Sequence, residues 1–372
     1  MTRKPPPPET LQEQILSVVQ SGTDGPMAET QFNELALDVF TFQYTKNQPY
    51  RRYCDLRGKT PDNVSDWAGV PAVPAAAFKE VPLTCFPPAE ARLFFTTSGT
   101  TQGERQGTHY LLTPELYDAS LLAHFEAALL PDGQRPPMYV LAQSPLDVPH
   151  SSLSHMFGVI ERSLGNGCTY YVDANGLDFE ALDRDLALAE AEGTPVMLLG
   201  TAFAFVHFLD WCQGRKRRFT LPKRSRLMDT GGFKGRSREV SRDELHRLYR
   251  EVFGTTAQYI VNEYGMTELG SQFYDATLID HHLRRRRPVR KLAPPWCRVA
   301  IVDPETMALC LPGHTGILRF FDLTNLYSVA VIQTEDLGRV IEDGFEVLGR
   351  AEGAESRGCS IALDDLLMTP RR

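Results

Sequence analysis

No run of apolar residues in this 372-residue sequence is long enough to cross a bilayer. The most apolar stretch, Val196 to Trp211, contains His207 and Asp210 and is expected to form a buried strand and helix. Four consecutive prolines, Pro5 to Pro8, stand where an export signal would need an apolar core, which argues against secretion. The seven cysteines are odd in number and widely spaced, with no CxxC pair, so neither a disulfide framework nor a thiolate metal site is suggested and a reducing cytoplasm is expected. Positive charge is also short: 39 Lys and Arg against 47 Asp and Glu leave a net charge of −8, unsuited to nucleic acid as main partner. There is no internal repeat.

What is present is an ordinary globular composition, 42% hydrophobic and 23% charged, long enough for one large or two medium domains. Helical spacing of apolar residues covers Thr10 to Val19, Glu29 to Gln43, Pro114 to Leu130, Asp178 to Glu192 and Ser241 to Phe253. Short apolar runs at Met138 to Ala142, Cys168 to Asp173, Pro195 to Gly200, Arg226 to Gly232 and Ala257 to Gly265 alternate with these, which predicts an α/β fold with a largely parallel sheet. The proline- and alanine-rich stretch Pro71 to Pro88 reads as an extended surface connection. Beyond about Leu292, strands joined by Asp-Pro, Pro-Gly and Asp-Gly turns predict a small β-subdomain. The expected division is 1–90, a helical and extended region; 91–291, an α/β core; 292–348, the β-subdomain; and 349–372, a hinge and tail.

The segment LFFTTSGTTQGERQGTHYLLT, Leu93 to Thr113, opens as an apolar run and then packs glycines and hydroxyls together. Small side chains let the backbone approach an anion and hydroxyls donate to it, although turns favour the same residues. No Gly-Lys-Ser/Thr follows, so this is not a Walker loop. Four more segments follow in order: DTGGFKG (Asp229 to Gly235), NEYGMTELG (Asn262 to Gly270), TEDLGRV (Thr334 to Val340) and GRAEGAESRGCS (Gly349 to Ser360). A basic run, His281 to Lys291, reads as a solvated loop or as a grip for a phosphate or an acidic partner.

The five segments in this order resemble the adenylate-forming superfamily, which activates carboxylic acids with ATP. The resemblance implies that Thr97, Ser98, Gly99, Thr100 and Thr101 wrap the ATP phosphates and that Gly231 and Gly232 flank adenine. It implies further that Tyr264 stacks on adenine beside Gly265, that Thr267 touches the α-phosphate and that Glu268 holds Mg²⁺. Asp336 would accept the ribose hydroxyls and Arg350 would add a charged contact at the hinge. His155 and Gly200, the latter at a strand-to-helix turn, resemble acyl-pocket positions; an ordinary core role remains open for both.

The sequence departs from the superfamily in two places. The phosphate loop reads Gly103-Glu104-Arg105-Gln106-Gly107 where many relatives carry Pro-Lys, and only 22 residues follow Arg350 where a C-terminal domain with a catalytic lysine is usual. Lys234 in GGFKG is a candidate substitute. A truncated adenylating domain with a tail cysteine, Cys359, resembles the LuxE-type acyl-protein synthetases, in which the acyl group passes from acyl-AMP to such a cysteine and on to a reductase subunit. The ten steps from Gly349 to Cys359 reach at most about 33–36 Å. Arg357 favours the thiolate while Glu352, Glu355, Asp364 and Asp365 oppose it, so an unreactive tail cysteine stays open. The resemblance thus implies ATP and Mg²⁺ as cofactors, a fatty or other carboxylic acid as substrate, and an acyl reductase (LuxC-like) or carrier protein as acceptor. Two alternatives remain: ligation to coenzyme A or a carrier protein with Cys359 a bystander, and a nucleotide-binding scaffold.

Overall fold

The computed structural model describes residues 4–97, 106–231, 240–311 and 313–350. In chain order the elements begin with α1 (Pro8–Gln20), α2 (Glu29–Lys46), α3 (Gln48–Leu56), β1 (Val73–Pro74), β2 (Leu93–Thr96), β3 (Thr108–Leu111) and α4 (Glu115–Leu129). Then come β4 (Met138–Leu141), α5 (Ser152–Leu164), β5 (Cys168–Tyr170), β6 (Val172–Asp173), β7 (Gly176–Leu177), α6 (Phe179–Glu192), β8 (Met197–Thr201) and α7 (Ala202–Gly214). The order continues with β9 (Arg226–Thr230), α8 (Arg242–Phe253), β10 (Ile260–Tyr264), β11 (Phe273–Asp275) and α9 (Thr277–His282). It ends with β12 (Lys291–Leu292), β13 (Cys297–Val302), β14 (Gly316–Asp322), β15 (Val331–Ile341) and β16 (Gly344–Arg350). No helix among the described residues is long and apolar enough to cross a membrane.

Two compact units emerge, neither of them a continuous segment. One comprises 124–265 and 272–289, the other the residues up to Ala123, Met266–Ser271 and those from Arg290 on.

The first unit is the α/β one. Its strands run β5-β4-β8-β9-β10 in parallel, with β11 antiparallel on β10. The helices start and stop where local chemistry says they should. Asp178 accepts the Ala181 N–H at 2.9 Å to cap α6, and Gly193 ends it in the left-handed region, φ 69°. Ser241 caps α8 through the Glu244 N–H at 3.2 Å, and Gly254, also φ 69°, ends that helix. Leu182, Leu186 and Ala189 of α6, at helical spacing, join Leu245, Leu248, Tyr249, Val252 and Phe253 of α8 in one core cluster over the sheet. Phe208 of α7 stacks on Trp211 and on Phe253 at centroid separations of 5.7 and 6.1 Å, which ties α7 to α8.

The second unit carries the β-subdomain, an antiparallel sheet β13-β14-β15-β16-β12, with β1 added in parallel to β15. Helix α2 packs on this sheet: Phe32 meets Phe321 edge to face at 5.6 Å. Gln43 donates to the Asn325 and Leu326 carbonyls at 2.9 Å each and accepts the Ala330 N–H at 3.0 Å. Strands β2 and β3 form a separate hairpin.

The Pro71 to Pro88 stretch corrects an expectation. Residues 71–75 are buried rather than lying on the surface, and Val73 and Pro74 pair with Ile332 and Gln333. Prolines bring no N–H to be satisfied, and the Pro71 and Ala72 carbonyls accept hydrogen bonds from Tyr50 and Tyr53, so burial leaves few polar groups stranded.

Candidate active site

Within the α/β unit, register decides which motif residues become neighbours. Thr201, the last residue of β8, pairs with Thr230 of β9, and Thr230 pairs with Glu263 of β10. Thr201, Gly231, Tyr264 and Gly265 therefore gather at the carboxyl ends of three parallel strands, where ligands bind in open α/β sheets. Gly231 has φ 72°, a conformation that glycine adopts without strain. Behind it, buried Asp229 accepts from the Tyr249 hydroxyl at 2.8 Å and from Asn262 Nδ2 at 2.5 Å, locking β9 to β10 and to α8. Glu263 accepts the Thr230 hydroxyl, tying the same strand ends together.

Gly200 is not at the turn as expected: it lies inside β8, and Thr201 is the residue that caps α7, accepting the Ala204 N–H at 3.4 Å. A Cβ on Gly200 would stand 2.7 Å from Leu141 Cβ and 2.9 Å from its carbonyl, so close strand approach is what requires glycine. His155 is half-buried in the first turn of α5, whose N-cap is Ser151.

Within the other unit, Thr97 and Gly107 close the neck of the hydroxyl-rich loop. The Thr97 N–H donates to the Gly107 carbonyl and the Gly107 N–H to the Thr97 hydroxyl, both at 2.9 Å. Ser98, Gly99, Thr100 and Thr101, with Gly232, Lys234 and Cys359, lie outside the described residues.

Two residues beyond the neck, His109 bonds through Nδ1 to the Thr267 carbonyl at 2.8 Å. A carbonyl only accepts, so Nδ1 carries the proton, and burial lowers the imidazole pKa to about 4, keeping it neutral. Asn325 Nδ2 donates to the Glu268 carbonyl at 2.8 Å, and buried Asp322 accepts the Gly270 N–H at 3.0 Å. Three side chains thus hold the backbone of Thr267, Glu268 and Gly270, and Glu268 is a buried residue, 8% exposed. Asp322 also accepts from Ser271 and Thr324, yet burial is the larger influence and raises its pKa.

On the β-subdomain, Asp336 of β15 pairs across the strands with Arg350 of β16. The Arg350 guanidinium reaches Glu335 at 3.1 Å and Asp336 at 4.0 Å.

His109, Asn325 and Asp322 carry no motif signal. A lone histidine on a strand, or an Asp-Leu-Thr-Asn stretch far along the chain, becomes meaningful only when folding brings it against the Thr-Glu turn. Asp229 was visible as part of Asp-Thr-Gly-Gly, but its buried hydrogen bonds were not.

Residues 24–368 match the family described as "Acyl-protein synthetase, LuxE". The chain belongs to that family. As a LuxE-family acyl-protein synthetase it is an enzyme of the ligase type. It is 23% identical over 351 residues to the Aliivibrio fischeri long-chain-fatty-acid–luciferin-component ligase, an alignment covering 90% of this chain and 88% of that one. Among solved structures it resembles a 2-hydroxyisobutyryl-CoA ligase in complex with its adenylate and CoA, at a TM-score of 0.59 and 16% identity, covering 88% of this chain and 71% of that one. It also resembles ATP-bound MatB from Rhodopseudomonas palustris, at a TM-score of 0.50 and 16% identity, over 69% of this chain. The LuxE-family chain spans 47% of the MatB chain, about half its length. Its fold is that of the adenylate-forming enzymes, with the expected β-subdomain.

Proposed function

We infer that this LuxE-family chain activates a fatty acid with ATP and takes the acyl group onto Cys359 for delivery to an acyl reductase. In the first step a carboxylate oxygen bonds to the α-phosphorus as the bond to pyrophosphate breaks. In the second the Cys359 sulfur bonds to the acyl carbon, AMP leaves with the former carboxylate oxygen, and the thiol proton passes to solvent.

The observation that carries the reading is the state of the other cysteines. Burial raises the pKa of all six described ones: Cys168 and Cys212 are pushed up to about 12, as is Cys54, and Cys85, Cys297 and Cys310 also rise. A thiol nucleophile acts as its thiolate, so the raised pKa disfavours these six as acceptors, part-exposed Cys310 least, and supports Cys359 as the candidate.

The remaining roles are those that the resemblance to adenylate-forming enzymes implies. Thr97 to Thr101 would bind the phosphates, with Thr267 at the α-phosphate; Gly231, Gly232, Tyr264 and Gly265 would border adenine; and Asp336 would take the ribose, with Arg350 beside it. Lys234 would supply positive charge in place of the absent lysine, and His155 and Gly200 would border the acyl chain. Mg²⁺ would be held by Glu268 of the Tyr-Gly-Met-Thr-Glu motif together with phosphate oxygens. When bound, it would neutralise charge on the phosphates.

The test is Cys359→Ser, followed by intact-mass analysis after incubation with ATP, Mg²⁺ and a panel of fatty acids. Acyl-AMP should form while the hydroxylamine-labile acyl adduct disappears. Undiminished turnover with external coenzyme A or a carrier protein, or acyl label on another cysteine, would overturn the tail-acceptor reading.

A further inference from the structure

The chain carries a net charge of −8, yet Arg215 to Arg224 holds six basic and no acidic side chains, and His281 to Val289 holds four arginines and no acid. The α/β unit brings these segments to one edge of its sheet. The first leads into the start of β9 at Arg226. The second follows α9, which is fixed at the start of β10 by the Thr277 hydroxyl on the Ile260 carbonyl at 2.8 Å and by the His281 ring against Tyr259 at 5.4 Å. Strands β9 and β10 are neighbours, with Leu227 opposite Ile260, so the segments converge at the amino-terminal edge of the sheet. Gly231 and Tyr264 leave the same two strands at their other ends.

Some of these cations are held in place. Arg215 lies over the Trp211 ring at 4.3 Å, and Arg217 lies over Phe219 at 4.4 Å while pairing with Asp183 at 2.5 Å. Others, including Lys216, Arg218 and Arg284 to Arg286, are exposed and make no ion pair among the described residues. Lys216, Arg217 and Arg218 line a cleft of about 310 Å³ with Gln213, Glu251 and Val252.

The backbone supplies a second observation. Five described non-glycine residues have positive φ, and three belong to these segments: Lys216 (55°), Arg224 (74°) and Arg284 (53°). Lys216 and Arg284 directly follow the C-caps of α7 and α9, the place where glycine is favoured because a Cβ is strained there. Long cations occupy positions where the fold alone would be better served by glycine.

The geometry points to this edge as a docking surface for an acidic protein partner. A concave cleft suits projecting Asp and Glu side chains, whereas a flat bilayer cannot enter it. Exposed Leu283 and Val289 flank the arginines but lie on no amphipathic helix, α9 having 6 residues, so membrane insertion is poorly served. Glu251, which also lines the cleft, has its carboxylate ion-paired to Arg247 at 2.5 Å.

The experiment is fluorescence anisotropy of a labelled Glu-rich helical peptide with the full chain, alongside anionic phosphatidylglycerol vesicles and duplex DNA. Wild type should bind the peptide in preference to the vesicles and the DNA. In Lys216→Gly/Arg284→Gly, affinity for the peptide should fall about tenfold, the loss expected from removing two surface charges. The melting temperature of this variant should stay the same or rise, because glycine relieves the left-handed positions. Arg285→Glu/Arg286→Glu should abolish binding. Equal peptide affinity in wild type and variants would overturn the proposal, as would tighter binding of vesicles or DNA than of peptide.

Discussion

His109 offers a way to separate a hydrogen bond from a charge. It is 3% exposed, bonds to the Thr267 carbonyl at 2.8 Å and packs edge-on against Phe78 at 5.7 Å. Burial holds its pKa at about 4 in the folded chain, against about 6.5 for an unfolded histidine. Because the folded value is the lower one, the associated stability is complete above about pH 6.5 and is lost as pH falls toward 4. At pH 5 the unfolded imidazole is almost fully protonated and the folded one is not, which removes about 2 kcal/mol relative to neutral pH. His124, on the Gln272 carbonyl and also lowered to about 4, adds a similar loss in the other unit. Asp322, with its raised pKa, contributes in the opposite direction, so the informative comparison is between wild type and a variant. In His109→Asn the amide nitrogen takes the place of Nδ1 and still donates to Thr267, but does not titrate. The variant should lose about 1–2 kcal/mol of ring packing at every pH. Its loss of stability between pH 7 and pH 5 should be about 2 kcal/mol smaller than in wild type. Urea unfolding at the two pH values measures this difference. An equal loss in both proteins would refute the assignment of His109 as a buried neutral donor.

Two further outcomes follow from the candidate site. Glu268→Gln should lose at least about tenfold in ATP–pyrophosphate exchange with little change in melting temperature, because an amide holds Mg²⁺ poorly; exchange at the wild-type rate would remove the metal role. Asp336→Ala should weaken ATP binding by about 1–3 kcal/mol while leaving fatty acid binding unchanged, and calorimetry with each ligand separates this from misfolding.

Much of the fold was legible because its signals are local. The caps Asp178 and Ser241 sit next to the helices they start, and Gly193 and Gly254 next to those they end. Helix α5 was absent from the expected elements, and Gly158 within it shows why: glycine weakens a helical pattern, yet here a Cβ would lie 2.7 Å from Pro145 Cγ. The motif residues could be named from their order, and register then placed Gly231 and Tyr264 at adjoining strand ends, with Gly200 inside the next strand. What supports Thr267 and Glu268 was hidden because it is non-local. His109 is separated from Thr267 by 158 positions and Asn325 from Glu268 by 57, and no pattern in a single sequence reports such pairs. The Pro71 stretch was misread for the same reason, since the tyrosines that satisfy its carbonyls come from α3.

The interleaving of the two units also sets an order of events during synthesis. Every residue of the α/β unit has left the ribosome once Val289 emerges, so this unit can close first. Helix α2 by then has been waiting far longer, because the carbonyls that Gln43 bonds belong to Asn325 and Leu326, 282 and 283 positions away. Phe32 waits similarly for Phe321. The face of α2 that meets the β-subdomain is therefore made early and covered late, which makes it a natural place for a chaperone to hold the growing chain.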